Sequence, residues 1–194
     1  MIDTSSVDVI GRILGFSFAA GINLYATVAI LGLATRFGWV DLPPQYRVFD
    51  NNWIIGAAIV LYLVEFVADK IPWLDSLWDA VHTVVRPAGG ALIAVASIGH
   101  AQPTMQVVAA MAGAALATST HVAKAGTRAM ANTSPEPFTN WSLSVAEDGF
   151  VLALGLLALT HPVVAGMVVV AALVVIVAAA RWLVRGLRRR LGRR

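Results

Sequence analysis

Residues 162–184 read PVVAGMVVVAALVVIVAAARWLV, and the next ten read RGLRRRLGRR. No charged side chain falls between Pro162 and Ala180. A helix that crosses a bilayer needs about 20 mostly apolar residues. This stretch supplies them, and it ends in Trp182 and a run of arginines, as a span does where it meets the membrane surface.

The rest of the chain has the same character. Of its 194 residues 58% are hydrophobic and 13% charged, against about 25% charged in an average soluble domain. Five more apolar segments precede the last one: Val9 to Thr35, Trp53 to Asp69, Val84 to Ile98, Met105 to Lys124 and Val145 to Thr160. The third and fifth are short, and Pro87 with Gly89-Gly90 interrupts the third. The expected fold is all-α: a polytopic membrane bundle of about six transmembrane helices. Residues 1–184 form one transmembrane domain and residues 185–194 a basic cytoplasmic tail. His100-Ala101-Gln102-Pro103 and His161-Pro162 read as tight hairpins, and the two histidines as turn residues.

Between the second and third segments, Ile71–Val85 reads as an amphipathic interfacial helix. Trp73, Leu74, Leu77, Trp78, Val81, Val84 and Val85 share one face at helical spacing, and Asp75, Asp79, His82 and Arg86 share the other. Residues 125–141 read as a polar loop, broken by Ser134-Pro135-Glu136-Pro137. Ser144-Val145-Ala146-Glu147 reads as a capping box opening the fifth span. The two short spans, each after a polar segment with a Trp, raise an inverted repeat as a hypothesis.

Charge sets the expected orientation and bounds the function. Seven of the fourteen Lys and Arg residues lie between Arg181 and Arg194. A membrane surface with anionic lipid headgroups explains that run better than nucleic acid does. The first eight residues carry two aspartates and no basic residue, unlike a secretory signal. Cytoplasmic loops are enriched in Lys and Arg. That places the tail, Lys70, Arg86, Lys124 and Arg128 inside, with Arg12 near that side and Arg36 and Arg47 outside. Six spans then put both termini in the cytoplasm of a bacterial inner membrane. With no cysteine, disulfides, thiolate metal sites and cysteine nucleophiles are excluded. No cofactor is expected.

The candidate site rests on charge inside apolar helices, which costs about 2.5–3.5 kcal/mol per carboxylate on insertion scales. Glu65 and Asp69 share a helical face; His121 and Lys124 end the fourth span; Glu147 and Asp148 open the fifth. With Asp75, Asp79, His82, Arg86 and Arg128, they would line a hydrated cytoplasmic vestibule that binds a substrate or ion. Two plainer readings stand beside this one. Charges at helix ends can reach the interface and only fix helix positions, and the stripe from Asp75 to Arg86 can be a solvated face. Asn23, in the small-residue stretch Ala20-Gly21-Ile22-Asn23-Leu24-Tyr25, marks either a helix–helix contact or a break lining a substrate path.

Five stretches carry a resemblance. They are residues 20–25 just quoted, Glu65-Phe66-Val67-Ala68-Asp69-Lys70-Ile71-Pro72, His82-Thr83-Val84-Val85-Arg86-Pro87-Ala88-Gly89-Gly90, Thr120-His121-Val122-Ala123-Lys124-Ala125, and Asn132-Thr133-Ser134-Pro135 with Glu147-Asp148. Together they resemble the bacterial integral membrane family catalogued as domain of unknown function four-one-two-six. The resemblance implies a small multispan protein and supplies no substrate or catalytic residue. Three functions fit the residues: a small transporter, channel or lipid-linked carrier; a divalent-metal-dependent enzyme acting on lipid phosphates through Asp75 and Asp79; or a non-catalytic scaffold. A homodimer is a candidate partner, since six short helices enclose little volume.

Overall fold

The computed structural model of the chain describes residues 4–133 and 137–191. Over these residues it is helical, without strands. The helices are α1 (Thr4–Ile22), α2 (Leu24–Phe37), α3 (Asn52–Ala68), α4 (Pro72–Ile98), α5 (Pro103–Ala131), α6 (Pro137–Thr160) and α7 (Pro162–Leu191), with a 3-10 turn at Pro44–Phe49 before α3. The last four helices are each long and apolar enough to cross a membrane; α2 and α3 are shorter apolar helices.

The distribution of side chains is that of a bilayer protein. On α4 the exposed face carries Trp73, Leu77, Val81 and Val84, while Asp75, Asp79, His82 and Arg86 are buried. Water would drive the opposite arrangement. In lipid, the apolar stripe faces outward and the costly charges face one another. The chain is membrane-embedded.

Helix α1 is the central strut, packed on α4, α5, α6 and α7. Its small residues allow this. Gly11 lies against the backbone of Pro162, Gly15 against Ala158 and Ala165, and Gly21 against Ala117 and Thr120. Phe16, Leu31, Ile93, Leu154 and Val169 fill the apolar core around it. Helices α4 and α5 cross where Gly90 meets Gly113; a Cβ on Gly90 would lie 2.7 Å from the Gly113 carbonyl oxygen.

Several expectations are corrected. The first apolar stretch is not one span. Asn23 adopts an extended conformation (φ −145°, ψ 100°) and caps α2 by accepting a hydrogen bond from the Ala26 amide. The chain turns back there: Gly15 lies level with Ala158, Asn23 with Asp148, and Ile30 with Gly155. One apolar segment thus becomes two antiparallel helices. The start of α1 packs beside the start of α7, and the two helices run parallel from Gly11 beside Pro162 to Ile22 beside Ile176. The amino-terminal end of α1 therefore lies at the end of the bundle opposite the basic end of α7. Both termini sharing a side does not hold, and Arg12 sits at the far end from Lys124. The interfacial helix and the short third span are a single 27-residue helix, α4, with Pro87 inside it.

Helix α5 continues through Ala131 and α6 begins at Pro137, so much of the expected polar loop is helical. Residues 134–136 lie outside the described residues, as do residues 192–194 of the tail. Ser144 and Glu147 stand inside α6 and form no capping box. With α4 and α6 at full length, the shortness that suggested a repeat is absent. Helix α7 runs past Val184 to Leu191, so most of the basic tail prolongs the last helix.

Candidate functional site

The break at Asn23 leaves the last carbonyls of α1 without helical partners, inside the bundle, where an unpaired carbonyl is costly. Two cations meet them. Lys124 Nζ donates to the Ile22 carbonyl at 3.2 Å, and Arg86 Nη1 lies 3.5 Å from the Gly21 carbonyl. The negative end of the α1 dipole also favours positive charge at that point. From this break the site spreads outward through five elements.

Arg86, fully buried on α4, donates from Nη2 to Glu65 Oε1 at 2.7 Å and from Nη1 to Asp79 Oδ1 at 3.2 Å. Lys124 on α5 reaches Glu65 Oε1 at 3.3 Å, Asp69 Oδ2 at 3.1 Å and Glu147 Oε2 at 3.6 Å. One turn on, Arg128 Nη2 donates to Asp69 Oδ2 at 3.0 Å and Glu147 Oε2 at 2.8 Å, and its Nη1 to the carbonyls of Asp69 and Asn140. A continuous ion-pair chain thus joins α3, α4, α5 and α6.

The partners of His121 fix it as a neutral tautomer, and those of His82 fix a proton on its Nδ1. His121 Nδ1 lies 2.7 Å from Arg86 Nη1, a group that can only donate, so Nδ1 accepts. Its Nε2–H faces Thr83 Oγ1 at 3.1 Å, and Thr83 donates onward to the Asp79 carbonyl. His82 Nδ1 lies 2.7 Å from the Trp78 carbonyl, which can only accept, so Nδ1 carries the proton. Its Nε2 lies 2.9 Å from the Tyr25 hydroxyl, and the Trp78 ring stacks on it at 4.7 Å. Trp78 is therefore part of the site's wall, whereas Trp53, Trp73 and Trp182 are exposed in the manner of a membrane belt.

Two carboxylates have no cation. Asp148 Oδ1 accepts from Asn23 Nδ2 at 3.1 Å, and Asp75 Oδ2 from Asn132 Nδ2 at 2.8 Å. Among the described residues, six carboxylates share the cluster with Arg86, Lys124 and Arg128. At its edge, Lys70 bonds the Phe66 carbonyl and Ser144 instead. Most of the unsatisfied buried atoms in the cluster are acceptors: Glu65 Oε2, Asp69 Oδ1, Asp75 Oδ1 and Asp148 Oδ2 lack a donor, while Arg86 Nε and Trp78 Nε1 lack an acceptor. Two crevices reach the flanks. One of about 260 Å³ opens between α4 and α5 beside Asp75, Asp79 and Arg128. The other, about 190 Å³, opens beside Lys124, Glu147 and Ile176.

Family membership adds a boundary to this geometry. The family described as Domain of unknown function (DUF4126) matches residues 10–182. The chain belongs to that family. The matched range holds the break, every member of the ion-pair chain and both cation-free aspartates. No curated protein and no solved structure matches the chain, so the DUF4126 site is read from its own chemistry.

All twelve residues singled out from the sequence meet in this DUF4126 cluster: Asn23, Glu65, Asp69, Asp75, Asp79, His82, Arg86, His121, Lys124, Arg128, Glu147 and Asp148. The stripe from Asp75 to Arg86 is not a solvated face, because all four residues are buried. His100 and His161 fall in turns at the other end of the bundle. Sequence reading did not assign Tyr25, Thr83 or Asn132 a part in the site. Their polar groups stood four or fewer residues from a predicted site residue on helical faces, the one signal that could have drawn attention to them.

Proposed function

We propose that this protein is a small membrane carrier that moves protons or a cationic cargo, with the buried carboxylates as its binding groups. The observation behind this reading is the imbalance just described: six carboxylates around three cations, gathered where α1 breaks. Buried charge in a membrane segment is expensive, and an excess of one sign favours proton uptake or binding of the opposite charge. A discontinuous helix whose ends face the site is the device by which many carriers bind ions in the bilayer interior.

The cations are better read as counter-charges than as receptors for an anion. Lys124 uses its three N–H donors on Ile22, Glu65 and Asp69, and each N–H of Arg128 has a partner; of these three cations Arg86 alone keeps a donor, Nε, without an acceptor. Glu65 would be the central proton- or cation-binding group, bridged by Arg86 and Lys124. Asp148, held by Asn23 at the start of α2, would couple protonation to movement at the break. The positive residues at the cluster end of the bundle support putting that end on the cytoplasmic side of a bacterial inner membrane.

The metal-dependent lipid enzyme receives less support. Asp79 is engaged by Arg86 and Asp75 by Asn132, and among the described residues no three carboxylate or histidine groups are placed to hold a metal ion. The test of the carrier reading is proton flux into proteoliposomes that hold a trapped pH-sensitive dye, under an imposed membrane potential. With the interior negative, the wild type should acidify the lumen faster than empty vesicles do, and Glu65→Gln should fall to background. Wild-type flux equal to that of empty vesicles, with and without added organic amine, would remove the reading.

A further inference from the structure

The crevice between α4 and α5 has a composition of its own. It is lined by Asp75, Ser76, Asp79, Thr83, Arg128 and Asn132, with the small side chains of Ala80, Ala125 and Ala129 completing its wall. It runs along the first three turns of α4 and the last two of α5, toward headgroup depth for helices of this length.

Its hydrogen-bond inventory is one-sided. Asp75 is 1% exposed, and its Oδ1 has no donor. Asn132 Oδ1 has none either. The orientation of that amide is fixed, because its Nδ2 donates to Asp75 Oδ2 at 2.8 Å and lies 3.2 Å from Ser76 Oγ. A flipped amide would set two acceptors against each other. The donors around the crevice are taken. Ser76 donates to the Pro72 carbonyl and Thr83 to the Asp79 carbonyl. Arg128 is spent on Glu147, Asp69 and Asn140. An anion would therefore find no free N–H here. A divalent cation would want six or more oxygen ligands, more than this wall offers.

We propose that the α4–α5 crevice binds a primary ammonium group, which donates to Asp75 Oδ1 and Asn132 Oδ1. The positive charge compensates Asp75, a buried carboxylate without a cationic partner, and the N–H donors fill both orphan acceptors. A quaternary ammonium has no N–H and leaves both unmet. The cavity, about 260 Å³, suits a headgroup-sized amine. Its place at the membrane surface allows two sources, the headgroup of phosphatidylethanolamine or a free small amine. The site goes beyond the carrier reading and does not need it: the crevice holds its ligand whether or not anything crosses the membrane.

The experiment uses the full chain in nanodiscs of equal phosphatidylethanolamine and phosphatidylcholine, with retained lipid read by native mass spectrometry and free ethanolamine binding read by calorimetry. Phosphatidylethanolamine enriched several-fold over phosphatidylcholine, and lost in Asp75→Asn, assigns the site to a lipid. Ethanolamine binding that needs Asp75, without lipid preference, assigns it to a soluble amine. Ala129→Leu fills the crevice with Asp75 intact and should abolish either signal in a protein that melts like wild type. No preference and no ethanolamine binding would overturn the proposal, as would undiminished binding in Asp75→Asn. Proton flux in the carrier assay is a separate readout, so the two ideas can fail independently.

Discussion

At the residue scale the structure turns on Arg86 and Glu65, both wholly buried and 2.7 Å apart. Removing one member of such a pair strands the other, which costs about 3–5 kcal/mol. Arg86→Leu should therefore lower thermal stability in detergent strongly. Arg86→Leu combined with Glu65→Leu should recover part of the loss, because no uncompensated charge then remains. Equal melting of the single and double variants would contradict the pairing.

The charged members of the cluster were legible in the sequence, since a carboxylate in an apolar segment needs a reason to be there. Their pairing was not. Helical spacing placed Asp75, Asp79, His82 and Arg86 on one face but could not say that this face looks inward. Tyr25, Thr83 and Asn132 carry no charge, so nothing in composition set them apart.

At the scale of elements, Asn23 has two duties: its Oδ1 caps α2 and its Nδ2 holds Asp148. Asn23→Ala loses both and should destabilise by about 1–2 kcal/mol, the usual range for a lost cap. Asn23→Asp keeps the cap but sets a second carboxylate against Asp148, so it should be worse than Ala at neutral pH. Combined with Asp148→Asn, Asn23→Asp should approach wild-type stability. Chemical denaturation of the wild type and these three variants checks the order.

The α4–α5 crossing makes a second, steric prediction. Gly90→Leu should prevent the helices from closing and leave little folded protein. Gly149→Ala, where an added Cβ meets nothing within 4 Å, should be neutral or stabilise by about 0.4–1 kcal/mol. The helices themselves were largely visible from hydropathy; their ends were not. Ser144 and Glu147 matched a capping pattern, yet α6 begins seven residues earlier at Pro137, where proline suits a first turn. The break at Asn23 was one of two open readings, because a single extended residue between apolar helices leaves hydropathy unchanged.

At the scale of the molecule, that one residue changes the topology. A stretch counted as one helix makes two, and the start of α1 and the end of α7 fall at opposite ends of the bundle. The absence of cysteine gives a clean background for labelling with a membrane-impermeant maleimide. Ser6→Cys, His100→Cys and His161→Cys should label from one side and Gly186→Cys from the other. Ser6 and Gly186 labelling from the same side would restore the even count expected from hydropathy.

The central claim is that acidic groups outnumber their cations inside the membrane and that the excess is met by protons or a bound cation. Infrared difference spectroscopy of the reconstituted protein across a pH titration, in a lipid without amines, reads this directly. A carbonyl band from protonated buried carboxyl groups should be present in the folded protein, shift in heavy water, and shrink in Asp148→Asn and Asp75→Asn, the two carboxylates without a cation. A spectrum with no such band while the fold is intact, or a band unchanged in both variants, would contradict the account.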